Sequence, residues 1–318
     1  MGLARIGAGE DVVRDFSGAT VVAVGTGPED VLVDGEDRVY SGLADGRIVR
    51  IDGLHGPVET LVRVPGRPLG LEFLGDDELL VCASEAGLLA VRLSDATVRT
   101  VADSFDGRAL EAVNNAAVAA DGTVYFSDSS QRFRIPEWRA DLIQRTATGR
   151  LLRRTPDGVV TELLGGLDFA NGVALAADES WVAVAETGAS RVRRIWLTGD
   201  RVGVAEVLVG DLPGYPDNIA LGGDGLVWIT LPSPRLGALT AIRRLPTSLR
   251  AVLSRLPERL QPRPGRTVGV LAVDASGREV HRIVGEIPGF EMLTGVREAR
   301  GRLWFGSLTG STVASLAL

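Results

Sequence analysis

Four short stretches place oxygen-bearing side chains just ahead of apolar, alternating segments. Gly27-Pro28-Glu29-Asp30 precedes Val31-Leu32-Val33, and Val113-Asn114-Asn115-Ala116 precedes Val118. Phe169-Ala170-Asn171-Gly172 precedes Val173-Ala174-Leu175, and Gly214-Tyr215-Pro216-Asp217-Asn218 precedes Ile219-Ala220-Leu221. In the last of these Gly214 and Pro216 fix a turn, and the alternation that follows reads as a strand. Carboxylate and carboxamide oxygens are hard donors that suit Ca²⁺ or Mg²⁺, and no His or Cys accompanies them. Glu29, Asn114, Asn171 and Asp217 therefore form a candidate metal set. Asn and Asp are also ordinary turn formers, so any one of them alone reads as structural. Their recurrence at one phase of a repeat favours a site, and Glu29 weighs most because Glu is not a favoured turn residue.

The repeat that carries them is a strand, a turn and a strand. Val39-Tyr40-Ser41-Gly42 with Gly46 to Ile51 returns as Leu79 to Cys82 with Gly87 to Val91, then as Val124 to Ser127 with Gly149 to Leu152. It returns again at Trp181, Leu226 and Leu303. The starts at 39, 79, 124, 181, 226 and 303 are separated by 40, 45, 57, 45 and 77 residues. Three of these gaps match one four-stranded propeller blade of about 40–45 residues. The expectation is an all-β, six-bladed β-propeller occupying 1–318 as a single domain. An amino-terminal strand, from Asp11-Val12-Val13-Arg14 or Thr20 to Val24, should pair with the last blade, because an open sheet edge invites aggregation. The Asp-Gly pairs at 45–46, 121–122, 157–158 and 224–225 are hairpin turns. In such a ring the same end of successive inner strands faces one channel, so the four oxygen-bearing tips converge there.

The two long gaps contain insertions. Residues 131–147 break the alternation with Ile135-Pro136-Glu137-Trp138 and a short helical run. Residues 236–264 carry Leu239, Ile242, Leu245, Leu249, Val252, Leu253, Leu256 and Leu260 at mostly helical spacing, with arginines between them and breaks at Pro246 and Pro257. This second insertion reads as a helix packed on the propeller, as a lid over the channel mouth, or as a basic surface for lipid headgroups. The lid is preferred and membrane contact ranks last.

Composition bounds the rest. A net charge of −7 with pI near 5.1 excludes a nucleic-acid binder, which needs clustered cations. Cys82 is the only cysteine and reads as a buried strand thiol, so cysteine zinc sites and internal disulfides are excluded. Met1 to Ile6 has neither the apolar run of a signal peptide nor a myristoylation pattern, and a cytoplasmic location is expected. His55, in a turn, and His281, in a strand, read as surface or packing residues. Gly25-Thr26-Gly27 lacks the third glycine and the helix of a dinucleotide site.

The motifs from Phe169 to Ala174, Gly214 to Ile219, Asp121 to Ser130 and Gly149 to Leu152 resemble the strictosidine synthase-like branch of the six-bladed propeller superfamily. That superfamily also contains the senescence marker protein/gluconolactonases and the paraoxonases. The resemblance covers nearly the whole chain. It implies a metal held in the channel by a Glu, two Asn and an Asp, which fall on Glu29, Asn114, Asn171 and Asp217, and lactonase or esterase chemistry in the metal-dependent members. Two departures stand out. Related propellers have Asn-Asp where this chain has Asn114-Asn115. The acid/base Glu of strictosidine synthase proper falls on Thr294, which cannot transfer that proton, so the alkaloid-forming condensation is not expected.

The expected function is hydrolysis of a lactone or ester. A cation would polarise the carbonyl, Asp217 or a water it holds would act as the base, and Asn114 and Asn218 would hold substrate. The alternatives are a small-molecule-binding propeller without turnover and an interaction scaffold.

Overall fold

The computed structural model describes residues 13–318 of the chain. The reading of Met1 to Ile6, and Asp11 and Val12 of the leading segment, lie outside the described residues. The described residues form six blade sheets of four or five strands and one two-stranded hairpin, and in each blade the four strands counted outward from the channel run antiparallel. The inner strands are Val31–Val33, Arg67–Phe73, Val113–Val118, Ala170–Leu175, Ile219–Leu221 and Leu293–Ala299. Each touches the next, and the sixth touches the first, which closes the ring.

The repeated phrases are the second strands of the blades: Arg38–Gly42, Glu78–Ser84, Val124–Asp128, Trp181–Glu186, Val227–Leu231 and Arg302–Ser307. These are the most buried strands because both faces pack against neighbouring blades, which explains their near-continuous apolar runs. Cys82 is a buried, free thiol among them. The core lies between blades, with Leu32, Tyr40 and Ile48 packing on Leu71, Leu79 and Val81. Trp228 packs in the same way with Leu293, Val296 and Phe305.

The ring closes from the amino-terminal side. Thr20–Ala23 pairs antiparallel with Thr312–Ala317 as the outer strand of the sixth blade, as the sequence predicted. Val13–Arg14 adds in parallel to Glu279–Gly285, the outer strand of the fifth. The four Asp-Gly pairs turn with Gly46, Gly122, Gly158 and Gly225 at positive φ.

Both insertions rise on one side of the ring. The first carries helix α1 (Trp138–Gln144) and the second carries helices α2 (Gly237–Ile242) and α3 (Thr247–Leu253). Helix α1 packs on α3, Gln144 Nε2 donates to Ser254 Oγ at 2.8 Å, and Ile143, Tyr215, Leu239 and Leu253 share one apolar cluster. No helix among the described residues is long and apolar enough to cross a membrane.

Candidate functional site

Four of the six inner strands begin with a kink. In the ladders of the second, third, fourth and sixth blades the register shifts across Pro68/Leu71, Val113/Ala116, Ala170/Val173 and Leu293/Val296. A bulge sends two consecutive residues out of the regular ladder and re-aims their side chains. The residues so placed are Leu69-Gly70, Asn114-Asn115, Asn171-Gly172 and Thr294-Gly295, and Glu29-Asp30 and Asp217-Asn218 hold the corresponding place ahead of the other two inner strands. Hydroxyls of the second strands satisfy the freed backbone groups. Ser41 Oγ donates to Asp30 O at 2.7 Å, Ser127 Oγ accepts from Asn115 N at 3.1 Å, and Thr230 Oγ1 donates to Thr294 O at 2.7 Å.

Glu29, Asn114, Asn171 and Asp217 all line one cavity at this end of the channel, so the structure brings the four sequence-selected residues together. Their surroundings fix the two carboxamides. Asn114 Nδ2 donates to Ser129 Oγ at 3.1 Å, and Asn171 Nδ2 donates to Thr187 Oγ1 at 3.2 Å. The oxygens Asn114 Oδ1 and Asn171 Oδ1 are buried with no hydrogen-bond partner. A buried acceptor without a donor costs about 1–3 kcal/mol, so two such oxygens beside two carboxylates need a cation or an incoming donor. Among the described residues no three His, Cys, Asp or Glu side chains gather as ligands, and the set here pairs two carboxylates with neutral oxygens. An all-oxygen set of that kind fits Ca²⁺ or Mg²⁺.

The carboxylates are electrostatically unsatisfied. Burial pushes Glu29 well above the usual carboxylate range, the neighbouring Asp217 and Asp30 push it further, and Arg67 and Asn218 oppose the shift only in part. Burial raises Asp217 to about 7 against a lowering hydrogen bond from Asn171. Burial likewise raises Asp30 to about 6, with Arg297 pulling the other way. Strong perturbation by burial and like charge, in a cleft, marks a site for a positive group.

One expected role changes. Asn218 does not line the cavity and is 1% exposed, with its Nδ2 donating to both Glu29 oxygens at 3.3 Å. Lying one residue beyond Asp217, it supports a candidate ligand rather than lining the cavity where it was expected to meet substrate. Asn115, where related propellers carry Asp, straps blades together: its Nδ2 donates to Asp30 Oδ2 at 3.3 Å and its Oδ1 accepts from Val173 N at 2.9 Å. Thr294 is fully buried, donating to Glu29 O at 2.7 Å, and does not reach the cavity. His281 stacks on Trp228 with ring centroids 5.6 Å apart, a packing role as anticipated.

Above the four polar residues the walls are apolar. Ile135, Trp138, Leu142 and Ile143 come from the first insertion, and Leu236, Leu239, Pro262 and Pro264 from the second. Leu69, Phe169, Tyr215, Met292 and Leu308 complete them around about 880 Å³ of empty space, its open mouth included. The second insertion is anchored to the ring. Leu236 N donates to Tyr215 Oη at 3.1 Å, and the Arg243 guanidinium binds the Asp168 carboxylate and Gly188 O. Sequence reasoning missed Leu69, Met292 and Leu308, which carry no ligand chemistry, and Arg243, which it grouped with the polar side of the insertion.

The strictosidine synthase family profile matches residues 114–200, and the strictosidine synthase-like amino-terminal profile matches residues 14–51. Strictosidine synthase-like 6 of Arabidopsis thaliana is 31% identical over 278 residues, spanning 84% of this chain and 73% of that relative. The chain belongs to the strictosidine synthase-like family. The adipocyte plasma membrane-associated protein of Salmo salar is similar to this family member at 30% identity, over 92% of this chain and 76% of its own. Among solved structures, a gluconolactonase from Xanthomonas campestris superposes with a TM-score of 0.68 at 16% identity, covering 96% of this chain and 91% of that one. A regucalcin from Agrobacterium tumefaciens superposes with a TM-score of 0.65, also at 16% identity, covering 96% and 94%. At that identity the likeness is one of fold, and it places this strictosidine synthase-like chain among the six-bladed propellers.

Proposed function

We propose that the protein is a divalent-cation-dependent hydrolase of lactones or esters. The observation that carries this reading is the pair of partnerless carboxamide oxygens, Asn114 Oδ1 and Asn171 Oδ1, lining the same apolar cavity as Glu29 and Asp217. Glu29, Asn114, Asn171 and Asp217 would hold the cation. The neighbouring regucalcin is described as a calcium-binding protein, which makes Ca²⁺ the first ion to try. When bound, the cation supplies a Lewis acid for the substrate carbonyl.

The chain's own residues do the rest. Asp217 is half-buried at the cavity floor, and as the least enclosed of the carboxylates there it takes the proton from an attacking water. Water oxygen bonds to the acyl carbon, the acyl C–O bond breaks, and the proton passes to the departing alkoxide. The walls around Trp138, Leu142, Phe169 and Leu239 exclude bulk water and seat an uncharged ring or acyl chain. Ser129 and Thr187 keep the two carboxamides from rotating, so their oxygens stay turned to the site.

The test is metal analysis of the purified protein, with hydrolysis of lactones and aryl esters followed in the presence and absence of chelator. Stoichiometric Ca²⁺ with chelator-sensitive turnover is the expected result. Bound metal without turnover supports instead a small-molecule-binding propeller, and absence of metal after Ca²⁺ addition overturns the site.

A further inference from the structure

The second insertion has a face that its packing on the ring leaves unexplained. Its inner side packs on helix α1 and Tyr215 through Leu239, Leu253 and Ser254. Leu249 and Val252 on α3, with Leu245, Leu256 and Leu260 in the turns on either side of it, are all exposed, Leu249 by 50%, Val252 by 58% and Leu260 by 63%. Large apolar side chains clustered on a surface mark an interaction site, whereas scattered ones do not. The charge around them is equally uneven. Residues 236–266 contain seven arginines and one glutamate, Glu258, in a chain whose net charge is −7. Arg244, Arg255, Arg259, Arg263 and Arg266 are exposed, and none makes an ion pair with a described residue.

We propose that this face docks the protein on an anionic lipid bilayer, with the leucines and Val252 entering the headgroup boundary and the free arginines meeting lipid phosphates. The complementarity decides the occupant. A second copy of this acidic chain would offer the leucines an apolar patch, but this same face would repel the partner's arginines. An anionic interface satisfies both sets at once, as surface-lying amphipathic segments do. The same insertion supplies Leu236, Leu239, Pro262 and Pro264 to the cavity wall, so docking sets the cavity mouth against the lipid. The sequence ranked membrane contact last of three readings, and the exposure of this face is the observation that argues for it. The inference is independent of whether the cavity turns over a substrate.

The experiment is vesicle co-sedimentation of the full chain with phosphatidylcholine vesicles, with and without about one third phosphatidylglycerol. The wild-type chain and two variants, Leu249→Ser/Val252→Ser and Arg255→Glu/Arg259→Glu, are compared. All four positions are exposed, so the variants should keep the wild-type unfolding midpoint. Expected are binding to the anionic vesicles that weakens with salt, little binding to the neutral ones, and a loss of about tenfold or more in partitioning for each variant. No binding to anionic vesicles overturns the proposal, as does binding that both variants leave unchanged. Sedimentation velocity covers the other occupant: a wild-type dimer that Leu249→Ser/Val252→Ser converts to monomer assigns the face to a second copy and also overturns it.

Discussion

Asp217 answers to two demands, and its neighbours differ in how they meet them. Asn171 hydrogen-bonds it and lowers its proton affinity, while burial and the charge of Asp30 raise it, leaving it at about 7. Glu29 is more enclosed and is held by Asn218 alone among side-chain donors, which suits a ligand better than a base. Asp217→Asn keeps the shape and removes the charge. The expected outcome is a fall in kcat of about 10²–10³-fold with KM little changed, measured at saturating Ca²⁺. Calorimetry on the same variant should give a weaker Ca²⁺ affinity, because a carboxylate ligand has become neutral. A binding protein without turnover would show only the second effect. The four candidate ligands were legible because Glu, Asn and Asp advertise their chemistry by type. Leu69 and Thr294 occupy the equivalent places in the other two blades and were not legible as such, although both lie nine or ten residues ahead of the second-strand phrase, as the four candidate ligands do. Register was the available signal, and ligand type concealed it.

The inner strands meet by a rule visible only when all six are compared. The second residue of each kinked pair alternates between polar and glycine around the ring: Asp30, Gly70, Asn115, Gly172, Asn218, Gly295. Each glycine lies under the polar residue of the next blade. A Cβ on Gly70 would stand 2.7 Å from Asn115 Cα, one on Gly172 2.1 Å from Ile219 N, and one on Gly295 2.8 Å from Asp30 Cα. All of these are backbone atoms and cannot rotate aside. Gly172→Ala should therefore destabilise the protein by about 3 kcal/mol or more, read from chemical denaturation, and should weaken Ca²⁺ binding by displacing Asn171 and Asp217 together. The alternation was not legible in the sequence because a strand glycine reads as a turn or a bulge, and its steric reason sits on another blade. The anchor of the second insertion was hidden in the same way. Arg243 and Asp168 are 75 residues apart, and at the end of its helix Arg243 looks in sequence like any other solvent-facing arginine. Its side chain is only 12% exposed, and Arg145 at 3.4 Å is the other cation on Asp168. Arg243→Ala should cost about 2–3 kcal/mol by leaving a buried carboxylate underpaired. It should also hasten limited proteolysis between 244 and 263, with the blades left intact. The blades and both insertions, by contrast, could be read directly from the repeat and its two long gaps, since those signals are local.

Across the whole molecule, the candidate ligands come from four of the six blades, so a cation at their centre would tie together strands that otherwise touch only their neighbours. Its contribution should depend on pH with a definite sign. Glu29, Asp30 and Asp217 all bind protons more tightly in the folded chain than in the unfolded one, because burial and mutual repulsion disfavour their charged forms. Arg67 beside Glu29 and Arg297 beside Asp30 oppose this, and Glu72 reinforces it at Asp30. Between the unfolded carboxylate range, near pH 4, and the folded value of about 7 for Asp217, the metal-free fold holds more protons than the unfolded chain, so its stability falls as pH rises through that window. The strongly lowered carboxylates, Glu206 and Asp274 at about 2, act below that window and do not mask it. A cation competes with those protons. Calcium should therefore raise the unfolding midpoint little at about pH 5 and substantially at about pH 8, while the chelated protein loses stability over the same range. Thermal scans with chelator and with excess Ca²⁺ at the two pH values decide the matter. A chelated midpoint that climbs from about pH 5 to about pH 8, with no gain from Ca²⁺, would mean that these carboxylates are satisfied within the protein, and the reason for a cation at the head of the channel would be gone.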